Sequence, residues 1–362
     1  MLPAPTPPLN TPQDQKVMSD LLQQSLESGE ILLAPGRDEA AGYGPLPLEN
    51  LSPEREIPFS VYLKIKKKGA RQPQYLEGCA RGEVFRRDFQ QQLQQLQIPC
   101  VYVSLEEMHR VMQYVYYHLD RSLQNGITSE MERGRLVVDA VHLWTINFFN
   151  HEEARSAEEV RGALHLLDNL FRVIESDRQT LLDLLEIKRH KSFRLYSHCL
   201  HVCLLGLAFT NYLGWSRDKI LGFGLGALFH DIGLVRTPRT ILEKKGMLTP
   251  EEMLEIKRHP LTGFRLVQGF ANLRWEALQM VLQHHESGDG SGYPEGLKGP
   301  TIHSWARICR ILDSYEAMTD KRPWREAMEP KEALWSMHSD WKKSKVFDRK
   351  YLASFIKFLA EK

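Results

Sequence analysis

No long uninterrupted apolar run occurs anywhere in the 362 residues. The longest stretch free of strongly polar side chains, LGFGLGALF at 221–229, falls well short of the ~20 residues that a membrane-spanning helix needs. A basic start followed by an apolar core is also missing. The opening MLPAPTPPLNTPQDQ does not read as a secretory signal, and a cytoplasmic location without a membrane partner is expected. Cysteine is sparse and unpatterned: Cys79, Cys100, Cys199, Cys203 and Cys309 are odd in number, form no CxxC pair, and read as reduced, mostly buried thiols. Charge of one sign is lacking too. A formal net charge of +1 gives no global pull toward a nucleic acid polymer or an anionic surface. The apolar content of 42% and charged content of 26% are those of an ordinary globular chain, and the length suits about two domains.

Along the chain, residues 1–55 are punctuated by Pro and Gly and read as a partly disordered leader, with one candidate helix in QDQKVMSDLLQQSLESG. In FSVYLKIKKKG, Phe59, Val61, Leu63 and Ile65 alternate with polar residues at the period of a half-buried strand. YLEGCARGEVF predicts a second strand and turn, RDFQQQLQQLQ a short helix and PCVYVSL a third strand. Together these give a small α/β module over 56–105. Its run of Lys64, Lys66, Lys67 and Lys68 reads as a solvated strand face, or an edge protected against aggregation, rather than a phosphate site. Apolar spacing of three and four then predicts connecting helices over 106–180, one of them opened by a capping box of Ser156 and Glu159. Residues 181–362 are again helical. Thr249, Pro250 and Glu252 open one of these helices, and the glycine-rich ESGDGSGYPEGLKGP forms a loop between two others. The expected architecture is mainly α: a C-terminal helical bundle with a small N-terminal α/β module and connecting helices.

What the chain has in quantity is histidine, fourteen in all. Those at 109, 118, 142, 151 and 165 are scattered and read as core or surface residues. The C-terminal ones recur in helix interiors and at helix ends: His198 and His201 in YSHCLHVCLLGLAF, His230 with Asp231 in GALFHDIG, His259 in IKRHP, and His284 with His285 in VLQHHES. Asp313 in ICRILDSYEAMTD follows an apolar run as Asp231 does. Imidazoles mixed with carboxylates suit Fe, Mn, Co or Zn better than Mg or Ca. These groups exceed what one ion takes, which points to a two-metal site with a bridging carboxylate and hence to phosphoester hydrolysis. Ligands so far apart in sequence need a helical bundle to bring them together.

Residues from about 187 to 350 resemble the HD-GYP domain, a subgroup of the HD superfamily of metal-dependent phosphohydrolases. The resemblance is carried by HDIG, GMLTPEEMLEIKRHPLTGFRLV, HHESGDGSGYPEGLKG, ARICRILDSYEAMTDKRPWREAM and, more weakly, FDRKYLASF. It implies an HD-type helical bundle over 181–362 with a di-iron or di-manganese centre. Its implied reaction is hydrolysis of cyclic di-GMP to pGpG, with GMP as the alternative end product. By position, His198, His230, Asp231 and Asp313 would hold one ion and His259, His284 and His285 the other. Asp231 would bridge the two together with a hydroxide nucleophile, so that His230 and Asp231 lie at the catalytic heart. Gly292, Tyr293 and Pro294 would form a wall beside the substrate, and Arg322 would contact its phosphate. A protein partner or a dimer through the N-terminal region is a further expectation.

The departures from the family pattern fall near the chemistry. Leu234 stands where the family has Lys, and Arg239 where it has Asp or Asn. A lysine there can donate to a phosphate oxygen and leucine cannot, a difference of about 10² to 10³ in rate. Arg194 replaces a Glu that binds a third ion in some members, Ser192 replaces a common Asp, and Trp324 replaces a Tyr. Leu234 and Arg239 motivate an alternative in which the domain is a metal- and nucleotide-binding regulatory module, catalytically weak or inactive, that acts through protein partners.

Overall fold

The computed structural model describes residues 31–33, 42–67, 73–98, 100–124, 129–152, 155–176, 178–187, 193–244, 246–322 and 325–361. The candidate helix near the N-terminus, Lys68, Ser192 and Trp324 lie outside these residues, as does the side chain of His118. The chain divides into two compact units, one comprising residues 1–128 with 190–192, the other 129–189 with 193–362.

The first unit is built on an antiparallel sheet of β1 (Ile31–Leu33), β2 (Tyr43–Pro47), β4 (Val61–Lys67), β5 (Gln74–Cys79) and β7 (Cys100–Ser104). A two-stranded ribbon of β3 (Arg55–Glu56) and β6 (Val84–Phe85) accompanies it. Strand β4 pairs with β5, β1 and β7, and β7 pairs with β2. The alternation read in the sequence buries Phe59, Val61, Leu63 and Ile65, while α1 (Arg87–Gln95) sends Phe89 and Leu93 into the same core. Helix α2 (Met108–Gln124) completes the unit.

Two expectations change here. Residues 43–51 fall inside the expected leader, yet they form β2 and a 3-10 turn because Leu46, Leu48 and Leu51 are buried. Pro45 and Pro47 are tolerated because β2 ends the strand order, where missing donors cost no ladder bonds. Lys64 is likewise not solvated: it is 7% exposed, with Nζ 5.9 Å and 5.7 Å from the ring centroids of Tyr75 and Tyr102.

The second unit is a helical bundle of α3 (Glu130–Asn150), α4 (Ala157–Ser176), α5 (Arg178–Leu185), α6 (Arg194–Tyr212), α7 (Arg217–Phe229), α8 (Arg239–Leu242), α9 (Pro250–Lys257), α10 (His259–Val267), α11 (Trp275–Gln283), α12 (Ser304–Thr319), α13 (Pro330–Ser344) and α14 (Arg349–Ala360). Helices α6 and α7 are buried on nearly every face, as uniformly apolar helices must be. They pack as a pair, with α4 and α11 against α7, and α3, α12 and α14 against α6. Thr249 and Glu252 form the reciprocal capping box at α9. At α4 only half of the expected box forms. Ser156 Oγ accepts from the Glu159 N–H, but the Glu159 carboxylate is taken at 3.0 Å by the indole N–H of fully buried Trp144, which needs an acceptor. Among the described residues no helix is long and apolar enough to cross a membrane.

Candidate metal centre

An α-helix leaves its last carbonyls without intrahelical partners, and a residue just past the end is placed to use them. His230 follows α7, His259 follows the end of α9, and His284 follows α11. Each presents ring Nδ1 to the carbonyl three residues back: Ala227 O at 2.7 Å, Ile256 O at 2.7 Å and Val281 O at 2.9 Å. A carbonyl only accepts, so Nδ1 carries the proton and Nε2 keeps its lone pair. Three rings are thereby fixed in the tautomer that binds a metal through Nε2.

The fourth ring is held differently. His198 lies in the interior of α6, with Nδ1 on Glu316 Oε2 and Nε2 3.1 Å from Asp313 Oδ1. Burial favours its neutral form, but Glu316 and Asp313 outweigh burial and push its pKa up to about 10. The pocket therefore holds a proton on His198 until another cation replaces it. Burial drives His230 the other way, down to about 4, and with its neighbour His284 also drives His285 well below the ordinary range.

Two sets of ligand atoms converge, each within 4.8 Å: Asp231 with His259, His284 and His285, and His198 with His230 and Asp313. The Asp231 carboxylate spans them. Its Oδ2 lies 3.7 Å from His198 Nε2 and 3.5 Å from His230 Nε2; its Oδ1 lies 3.1 Å from His259 Nε2 and 3.5 Å from His284 Nε2. Oδ1 is buried without a hydrogen-bond donor, and the nearest imidazole nitrogens are lone-pair atoms in the tautomers fixed above. Three electron-pair donors facing one another need a cation, and this donor set fits a divalent metal.

Gly233 lets the two sets approach. A Cβ there would lie 2.0 Å from His259 O and 2.7 Å from the Gly263 nitrogen, so only glycine admits α10 so close to the turn after Asp231. The glycine-rich loop is tied down by Glu286, 1% exposed, whose carboxylate accepts from the backbone N–H groups of Glu295, Gly296 and Leu297. Asp289 accepts from the backbone and hydroxyl of Ser291. Gly292 sits against the Glu286–Ser287 backbone, and the Tyr293–Pro294 peptide is cis. Tyr293 stacks on His285 with ring centroids 4.8 Å apart, so the predicted wall abuts the metal-ligand cluster.

Arg322 reaches the cluster but is engaged there. Its Nη2 donates to Glu316 Oε2 at 3.0 Å and lies 3.4 Å from His198 Nδ1. Glu316, 4% exposed, is the residue that the sequence reading missed; it also meets His201 Nδ1 at 3.3 Å. Its spacing of three from Asp313 on a helix, which puts both carboxylates on one face, was the available signal. Leu234 sits half-buried in the 3-10 turn Ile232–Arg236, and Arg239 pairs with Glu243 one helical turn away.

Residues 180–350 match the model of the HD domain family. The chain is 29% identical over 232 residues to the cyclic di-GMP phosphodiesterase PA4108 of Pseudomonas aeruginosa, covering 64% of this chain and 55% of that protein. It is 32% identical over 200 residues to the cyclic di-GMP phosphodiesterase response regulator RpfG of Xanthomonas campestris pv. campestris, covering 54% and 52%. It thus spans about half the length of these curated relatives. In fold it is similar to Bd1817, an HDG"Y"P protein of Bdellovibrio bacteriovorus, with a TM-score of 0.67 at 18% identity over 88% of this chain and all of that one.

Proposed function

We propose that this chain, whose residues 180–350 match the model of the HD domain, is a metal-dependent phosphodiesterase that hydrolyses cyclic di-GMP to pGpG, with GMP as the alternative end product. The observation that carries the reading is the Asp231 carboxylate, with one oxygen toward each of two imidazole sets. His198, His230 and Asp313 would hold one divalent ion, His259, His284 and His285 the other, and Asp231 would join them. Iron or manganese suits this mixture of nitrogen and oxygen donors. When bound, such a pair supplies Lewis-acid polarisation of a phosphoryl oxygen and an acidified water.

The remaining work belongs to the chain. His230, His259 and His284 present rigid lone pairs because helix-end carbonyls lock their tautomers. Gly292, Tyr293 and Pro294 wall the cluster through the stack on His285, and Arg322 offers a forked donor beside His198. The names of the relatives, both cyclic di-GMP phosphodiesterases, support the substrate.

A second reading, a metal- and nucleotide-binding module of low turnover that acts through a protein partner, is favoured by two observations. Leu234 offers no proton donor, and Arg322 is held by Glu316. Metal analysis and product chromatography on one anaerobically prepared, Fe- or Mn-loaded sample separate the two readings. Conversion of cyclic di-GMP to pGpG is expected. A fully loaded protein that leaves cyclic di-GMP intact overturns the first reading, and a panel of other cyclic dinucleotides tests the substrate.

A further inference from the structure

Three guanidinium groups carried by α12 and α14 rest on aromatic rings. Arg307 lies over Tyr351 with Cζ 5.5 Å from the ring centroid, Arg310 over Phe347 at 6.0 Å and Arg349 over Trp341 at 5.4 Å. Stacking holds the plane of an arginine while leaving its N–H fork free to donate. All three arginines, with Lys345, line one cavity of about 400 Å³ between α12, the α13–α14 turn and the base of the glycine-rich loop. None of the seven predicted metal ligands lines it.

The two carboxylates of the lining are already engaged. Glu286 accepts the three loop N–H groups described above. Asp348 caps α14 through the Lys350 and Tyr351 N–H groups and pairs with Arg307. Among the described residues, Arg310, Lys345 and Arg349 have no ion-pair partner. The Nε atoms of Arg307 and Arg310 are buried without an acceptor. Four cations against two saturated carboxylates, with unused donors directed by stacking, form a preorganised anion site. The volume lies within the range of small-molecule sites.

We infer that this cavity binds the phosphate group of a small molecule, held by Arg310 and Arg349 with Lys345 adding charge. The inference does not rest on the phosphodiesterase reading, and the ligand is either free phosphate or a mononucleotide carrying that group. The test uses the full chain stripped of metal with a chelator, so that phosphate has no metal to bind. Calorimetric titration with inorganic phosphate is expected to give one saturable site. Arg310→Gln and Arg349→Gln should each weaken it about tenfold, the loss of one charge-assisted contact. Arg349 is exposed, so its variant tests the site even if Arg310→Gln misfolds. GMP binding more tightly than phosphate assigns the site to a nucleotide, and equal binding assigns it to phosphate itself. No binding to the parent chain, or unchanged affinity in both variants, overturns the inference.

Discussion

Three of the histidines use one device: an imidazole just past a helix end takes a carbonyl that the helix cannot satisfy, and so turns Nε2 toward the centre. His198 has no such carbonyl and depends on Glu316 instead. Glu316→Gln should therefore weaken metal binding about 10- to 100-fold, the usual cost of losing a carboxylate behind a ligand histidine. Metal titration followed by elemental analysis reads this directly, and an unchanged affinity would mean that Glu316 only packs. Leu234 bears on rate rather than affinity. On the proposed function, Leu234→Lys supplies the donor that the family pattern has three residues after Asp231, so kcat should rise by about 10² or less while metal content stays constant. A steady-state assay in which kcat does not change would remove Leu234 as the explanation of any low turnover.

Elements rather than single side chains set the distance between the two ligand groups. The turn after α7 and the start of α10 touch backbone to backbone at Gly233. Gly233→Ala must push α10 away, at about 1 to 3 kcal/mol, and carry His259 out of range of Asp231. The expected result is a folded protein with a lower melting temperature and about half the metal; full stoichiometry would refute the role given to this contact. The glycine-rich loop obeys similar logic. Glu286 gathers three backbone donors, so the loop keeps Tyr293 on His285 without any regular secondary structure of its own.

At the scale of the whole molecule, the centre makes the stability of the metal-free chain depend on pH in both directions. His230 titrates at about 4 when folded and 6.5 when unfolded. As pH falls from 6.5 to 4 the unfolded chain takes up a proton that the folded one refuses, and stability drops. His198 titrates at about 10 when folded and 6.5 when unfolded. Its contribution is full below 6.5 and is lost as pH rises to about 10. The chelated protein should therefore melt highest near pH 6.5. Bound metal, which displaces the His198 proton, should abolish the alkaline decline. A melting temperature that stays flat from pH 5 to 9 after chelation contradicts the assigned pairs.

How much of this was legible follows from how local each feature is. The strands around Val61, Gln74 and Cys100, the helix at Arg87 and the cap at Thr249 are written in side-chain periods and short-range donors, and these the sequence specified by itself. The candidate ligand types were legible as well, because histidines at the ends of apolar helices are unusual wherever they occur. Burial of Leu46, Leu48 and Leu51 was hidden by the neighbouring prolines, since only an edge position in the sheet makes prolines acceptable. Glu316 was hidden because its meaning lies in His198, 118 residues away. Only the tertiary structure decided that one carboxylate faces two imidazole sets, that Arg322 is held by Glu316, and that three arginines share one cavity. Each depends on distances between helices, which packing fixes and no local pattern encodes.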